Sequence, residues 1–276
     1  MALKKTLTIA GTDCSGGAGY AADIKTFEQH NTYGFCALTS IVSMDPETWS
    51  HRVSSVPLEV VKEQVETALS INPDAIKTGM LPSEEIITVA KDAFLNSEAK
   101  FFVVDPVMVC KGDDEVLNPG LVVQMQKELI PHATIVTPNL FEAGQLAEMS
   151  TPKTLDEIKK AAKVIHDKGA KYVVIKGGTG IVGNKAIDLF YDGEIYTLLS
   201  SKKLDASYNH GAGCTFAAAV TSNLANGKLP LEAVREAKAF VTSAIKHGWK
   251  MNDHVGVVRH GAYNTTEKIE VETETL

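Results

Sequence analysis

Cysteine is scarce in this chain. Four residues, Cys14, Cys36, Cys110 and Cys214, are spread over 276 positions without a C-x-x-C pair. That suggests neither a disulfide framework nor a zinc knuckle, and it points to a reducing, cytoplasmic compartment. No run approaches the roughly 18 apolar residues of a membrane span. The opening MALKKTLTIAGTD has too short an apolar stretch for a secretory signal and no small-residue cleavage site. Positive charge is also in the minority: 27 basic residues face 34 acidic ones, for a net charge of −7. Nothing therefore forces the basic face that a nucleic-acid partner needs. An anionic ligand has to be neutralised locally, by backbone dipoles, one or two lysines, or a metal. Neither G-x-x-x-x-G-K-[ST] nor G-x-S-x-G occurs, which argues against a P-loop enzyme and an α/β-hydrolase. With no internal repeat, low-complexity tract or linker, one domain over residues 1–276 is expected.

What is present is a rhythm of short apolar runs alternating with helical patterns. LTIAG (7–11), FCALTSIV (35–42), AIKTGM (75–80), FFVVDPVMV (101–109), TIVTPN (134–139) and YVVIKGG (172–178) read as strands. Helices are expected after the first strand, near 58–70, from Ser83, near 119–129 and over 154–168. Continuous rather than alternating apolar strands imply that both sheet faces are covered. The fold class is α/β, a doubly wound, mostly parallel sheet flanked by helices. IDLFYDGEIYTLLS (187–200) alternates around Asp192-Gly193 and predicts a β-hairpin. Two consecutive helices, 214–226 and 231–250, follow, and KIEVETETL ends the chain as a short strand or tail.

Open parallel sheets bind ligands beyond the carboxyl ends of their strands, so the residues there carry the chemistry. NHGAGCT (209–215) opens a helix of small residues. Its Gly211, Ala212 and Gly213 amides, with the helix dipole, form a candidate anion hole. The same environment is expected to lower the thiol pKa of Cys214 and make it a base or nucleophile. TPNLFEA (137–143) places Asn139 and Glu142 where they can hold hydrated magnesium beside phosphates; a capping box at the helix start is the competing reading. Asp105 ends a strand and can orient magnesium water or a phosphate. The polar segment after it, with Cys110, reads as a lid. Lys176, followed by Gly177, Gly178, Thr179 and Gly180, suits a nucleotide. In GTDCSGGAG (11–19), Asp13 with Gly17 and Gly19 can cradle a small polar substrate. Gly17-x-Gly19-x-x-Ala22 is a near match to the dinucleotide fingerprint, but it lies too far from the strand, and an NAD-dependent oxidoreductase is the rival reading. His51, His247 and His260 are read as solvated.

TIAGTDCSGGAGYAADIKTF, VVDPVMVCKG, TPNLFEA, VVIKGG and NHGAGCTFAAA, in this order over about residues 5–250, resemble the ribokinase-like superfamily. Within it they are similar to hydroxymethylpyrimidine/phosphomethylpyrimidine kinases and the related pyridoxal kinases. The resemblance implies ATP, Mg2+ and transfer of the γ-phosphoryl group to a hydroxymethyl group. It implies that Asn139, the 176–180 loop, Gly213, Asp188 and Lys238 meet the nucleotide, and that Glu142 and Asp105 serve the metal. Asp13, Gly17, Gly19, Cys110 and His210 would surround the acceptor, and Cys214 would stand where most of the superfamily has an Asp base. A homodimer is implied as well. Pyrimidine kinases of this branch carry a Gln-Asn pair after the second strand, where this chain has Ser43-Met44-Asp45-Pro46. Without those amides a diazine ring loses its partners, so pyridoxal, pyridoxine or pyridoxamine is the expected acceptor, with hydroxymethylpyrimidine as the alternative. The pyridoxal aldehyde can also add to a nearby thiol, Cys110 or Cys214.

Overall fold

In strand β1 (Lys4–Asp13), six successive residues from Thr6 to Gly11 are buried, as a strand covered on both faces requires. A computed structural model describes residues 2–108, 119–205, 208–266 and 268–276. After β1 come α1 (Gly19–Gln29), β2 (Thr32–Met44), β3 (His51–Ser55), α2 (Leu58–Ser70), β4 (Ala75–Thr78), α3 (Glu84–Leu95) and β5 (Phe101–Val104). The middle of the chain holds α4 (Pro119–Gln124), β6 (Ile135–Val136), α5 (Leu140–Leu146), α6 (Leu155–Asp167) and β7 (Tyr172–Gly178). β8 (Lys185–Tyr191) and β9 (Tyr196–Lys202) precede α7 (Ala212–Ala225) and α8 (Pro230–Lys246). The last strands are β10 (Trp249–Lys250), β11 (Gly256–Val257) and β12 (Glu272–Thr275).

Ten strands form one sheet in the order β12-β9-β8-β7-β6-β5-β4-β1-β2-β3. The six from β2 to β7 pair in parallel, whereas β3 on one side and β8, β9 and β12 on the other pair antiparallel. The chain runs outward from β1 to β2, then returns to the far side of β1 as β4. That reversal opens a crevice at the strands' carboxyl ends, where doubly wound sheets bind ligands. Phe102 and Val104 of β5 pack on one face, and Val103 packs on the other with Phe216, Val220 and Phe240 of α7 and α8. From Thr215 to Ala225 every residue of α7 is buried. Its alanines let the helix lie close against the sheet, which fixes the position of its amino terminus.

The expected strands, the 187–200 hairpin and the mostly parallel sheet are present. The long final helix stops at Lys246 rather than at residue 250, because Lys250 already pairs antiparallel with Gly256. β3 has no counterpart among the expected strands; its HRVSS is mostly exposed and lacks apolar alternation.

Two histidines give the fold an acid-sensitive term. Burial holds His30, packed on Phe240 with ring centroids 4.6 Å apart, at a pKa of about 4. It holds His260 at about 4 as well, with Nε2 3.0 Å from the Thr215 hydroxyl. His260 is therefore not the solvated residue expected. Both values lie below the unfolded 6.5, so between these limits the unfolded chain binds more protons and stability falls as pH falls. Unfolding free energy from urea titrations is expected to drop between pH 6.5 and 4 by about 3 kcal/mol per histidine. His260→Gln should remove one part of this slope, and an unchanged slope would contradict the assignment.

Candidate active site

The crevice is a cavity of about 670 Å³ lined from β1, the β4 and β5 ends, β7, β8 and the starts of α5 and α7. Its organising feature is the amino terminus of α7. Gly211, the N-cap, has φ +82°, no side chain caps the helix, and no acid stands in its first turn. The dipole and leading amides are thus directed to the cavity rather than spent on a side chain. One part of the expected anion hole needs correction: the Ala212 amide donates to the Asn209 carbonyl at 3.1 Å. The cradle therefore centres on Gly213 and Cys214. A Cβ at Gly213 would stand 3.5 Å from Lys176 Nζ, so this lysine's ammonium overhangs the helix terminus.

Lys176 leaves β7 with its amide bonded to the Pro138 carbonyl, and its ammonium pairs with Asp105 Oδ1 at 2.9 Å. Thr137 Oγ1 donates to the same oxygen at 3.2 Å. Burial opposes the charge on Lys176, but Asp105 and Glu142 outweigh it and hold Lys176 above the ordinary lysine range. Asn139 and Glu142 do form the capping box of α5: Glu142 N–H donates to Asn139 Oδ1 at 2.9 Å, and Asn139 N–H to Glu142 Oε2 at 2.8 Å. The box does not exclude a ligand role, since both residues line the cavity. Burial, aided by Asp105 and opposed by Lys176, pushes Glu142 up to about 7. Two carboxylates around one ammonium leave an excess of negative charge that suits a divalent cation sharing its shell with phosphates and water. Among the described residues no three metal-binding side chains form a cage, and this open, oxygen-only donor pair fits magnesium in that mode.

Elsewhere on the cavity wall Asp188 and Lys238 form a buried ion pair at 2.8 Å. Asp188 also accepts from Gly178 N–H at 3.2 Å, tying the glycine loop to β8. Gly178 and Thr179 line the cavity. Gly177 is buried, and a side chain there would meet Ile187 O at 2.6 Å; Gly180 is exposed, and a side chain there would meet Leu140 Cδ1 at 2.8 Å.

At the opposite end Asp13 faces His210. Its Oδ2 lies 2.5 Å from His210 Nε2, and its Oδ1 accepts from Ser15 N–H at 2.7 Å. Burial alone would raise this carboxyl, but the bonds from His210 and Ser15 prevail and hold it below its ordinary value. His210 is anchored between Gly256 O and Val258 N–H, so β11 places a ring that the sequence could only show as adjacent to glycines. Gly17 is not a cavity residue: a side chain there would stand 2.7 Å from His210 Cδ2, and its absence makes room for that ring. Gly19 does line the cavity, and its N–H points to Cys214 Sγ at 3.4 Å. Cys110, with the rest of residues 109–118 where a lid is expected, lies outside the described residues.

Cys214 opens partly into the cavity, yet its thiol is pushed up to about 11, not lowered. Burial is the main cause; Lys77 and the Gly19 amide favour the thiolate, while Asp23 and Asp105 oppose it. The lowering expected from the helix dipole is therefore not realised: desolvation outweighs it. His51, read as solvated, lines the cavity, as do Val42 and Met80. It stands opposite Met44 in the β2–β3 pairing. Asp45 spends its Oδ1 on the turn amides of Glu47 and Thr48.

A cleft that points a helix dipole and a half-buried lysine at one spot, with a carboxylate–imidazole pair in the same cavity, defines an α/β enzyme built around a phosphorylated ligand. The chain belongs to the phosphomethylpyrimidine kinase family, whose model matches residues 13–259. It is 61% identical over 272 residues to a putative pyridoxine kinase of Staphylococcus aureus, covering 99% of both chains. A hydroxymethylpyrimidine/phosphomethylpyrimidine kinase of Bacillus subtilis is 35% identical over 264 residues, with 95% of this chain and 97% of that one covered. The pyridoxal kinase from Staphylococcus aureus, solved with AMP-PCP and pyridoxal, superposes with a TM-score of 0.96 at 57% identity over 100% of both chains.

Proposed function

We propose that this chain is an ATP- and magnesium-dependent kinase that phosphorylates the hydroxymethyl group of pyridoxal and its alcohol and amine forms, in salvage of that vitamin. The observation that carries the reading is the convergence of Lys176 Nζ and the Gly213–Cys214 helix terminus in the cavity that also holds Asp13 and His210. The γ-phosphoryl group sits at the helix terminus, where the amides, the dipole and Lys176 offset its charge. The Asp188–Lys238 pair and the Gly178–Thr179 loop hold the rest of the nucleotide. Glu142 and Asp105 would hold magnesium, which supplies charge neutralisation for the migrating group. Asp13 and His210, with His51, orient the acceptor ring, and Cys214 faces its hydroxyl. In transfer the alcohol oxygen bonds to phosphorus, the bridging bond to ADP breaks, and the alcohol proton passes to the Cys214 thiolate. A single-domain homodimer in the cytoplasm completes the reading; among the described residues no helix is long and apolar enough to cross a membrane.

A coupled ADP-release assay with pyridoxal, pyridoxine and hydroxymethylpyrimidine tests it. Release is expected with the first two, and weaker release with the third, because Met44 and a turn-bound Asp45 stand where a pyrimidine would need amides. Turnover of the pyrimidine alone would support the other branch of the family. Stabilisation by NAD but not by magnesium-ATP would return the oxidoreductase reading. A spectral shift with pyridoxal but not pyridoxine would report addition of a thiol to the aldehyde.

A further inference from the structure

Beneath the acceptor end lies an ion pair that none of the expected site residues includes. Lys77 of β4 and Asp23 of α1 are both 0% exposed. Lys77 Nζ donates to Asp23 Oδ1 at 2.9 Å and to Oδ2 at 2.8 Å, and Thr8 Oγ1 donates to Oδ2 at 2.7 Å. A pair taken wholly out of water costs more desolvation than a surface pair, and apolar side chains of similar size often serve folding as well or better. Its position offers a reason for its presence. Asp23 lies one helical turn after Gly19, on the same face of α1, and the Gly19 amide donates to Cys214 Sγ at 3.4 Å. The ammonium also lies just behind the cavity floor, since a Cβ on the lining residue Gly79 would stand 3.3 Å from Lys77 Nζ.

We propose that Lys77, anchored by Asp23 and Thr8, is a positioning residue for phosphoryl transfer: its buried ammonium supplies the positive charge beneath Cys214 that favours the thiolate before it takes the alcohol proton, and it helps offset the charge on the transferring group. This inference rests on the kinase reading above. The groups that act on the sulfur come from several elements: Lys77 from β4, Asp23 and the Gly19 amide from α1, Asp105 after β5, and Lys176 from β7. Lys77 favours the thiolate and Asp23 opposes it, and it is the Lys77 ammonium that reaches the cavity floor beside Gly79. Lys77 touches neither the acceptor nor the nucleotide; it acts through the cysteine and the cavity floor.

The test separates this role from a structural one. A double variant of the full chain, Lys77→Met with Asp23→Leu, removes both charges and keeps the volume. Its melting temperature and its KM values for magnesium-ATP and pyridoxal should stay close to wild type, while kcat falls about 10²-fold. Cys214 in the resting protein should be alkylated by iodoacetamide more slowly at fixed pH. A double variant with wild-type kcat and alkylation rate would overturn the proposal and leave the pair a packing feature. Should the apolar pair fail to fold, Lys77→Arg and Lys77→Gln carry the comparison. The charged variant must exceed the neutral one in both readouts, and equal or reversed order overturns the proposal. If wild-type protein released no ADP with any acceptor, the kinase reading would fall, while the alkylation comparison would still decide whether Lys77 acts on the sulfur.

Discussion

Cys214→Ala is expected to lower turnover about 10²–10⁴-fold at saturating magnesium-ATP and acceptor, with little change in either KM. The sulfur contributes no phosphate contact of its own, so its loss should act on the chemical step rather than on binding. A base must be deprotonated to work, and burial holds this thiol at about 11. The thiolate is therefore a minor species near neutrality, and kcat should climb with pH, roughly tenfold per unit until the thiol titrates. A group required in its protonated form would give the opposite slope. Near-full turnover in Cys214→Ala, or a flat profile from pH 7 to 9, would remove the cysteine as base.

The second large effect is structural in origin. Gly211→Ala forces a side chain onto a residue at φ +82° and sets its Cβ 1.7 Å from Gly17 O. Neither the left-handed backbone nor the contact can be relieved without moving the GTDCSGGAG loop or the start of α7. Destabilisation of about 3 kcal/mol or more is expected, visible as a lowered denaturation midpoint. The amides proposed to face the phosphate would tilt with the helix terminus. Losing one or two charge-assisted bonds should raise the KM for magnesium-ATP at least about tenfold. A variant with unaltered stability and KM would show that this tight turn has no part in forming the cradle.

Much of this site is legible in the residue order. The strand ends can be found because the strands are continuous apolar runs, and NHGAGCT, TPNLFEA and KGGTG fall immediately after them or at helix starts. What the order hides is whatever depends on register, desolvation or distant partners. His51 gains its place from pairing opposite Met44 across β2 and β3, and an exposed HRVSS offers no pattern to predict that strand. Asp23 and Lys77 are 54 positions apart and meet only in the folded core. The helix dipole at Cys214 is evident from two glycines and a run of alanines. The burial that reverses its effect on the thiol is not, because it is imposed by α1, β4 and β5 together. Gly17 shows the same limit: its neighbours suggest a substrate loop, while its space is taken by the His210 ring.

The most direct test is a crystal structure of this protein with magnesium, AMP-PCP and pyridoxal. The account predicts the terminal phosphate within hydrogen-bonding distance of the Gly213 and Cys214 amides and of Lys176 Nζ, with Cys214 Sγ facing the acceptor's hydroxymethyl oxygen. A terminal phosphate bound away from the start of α7, with the sulfur turned toward aliphatic side chains, would contradict it.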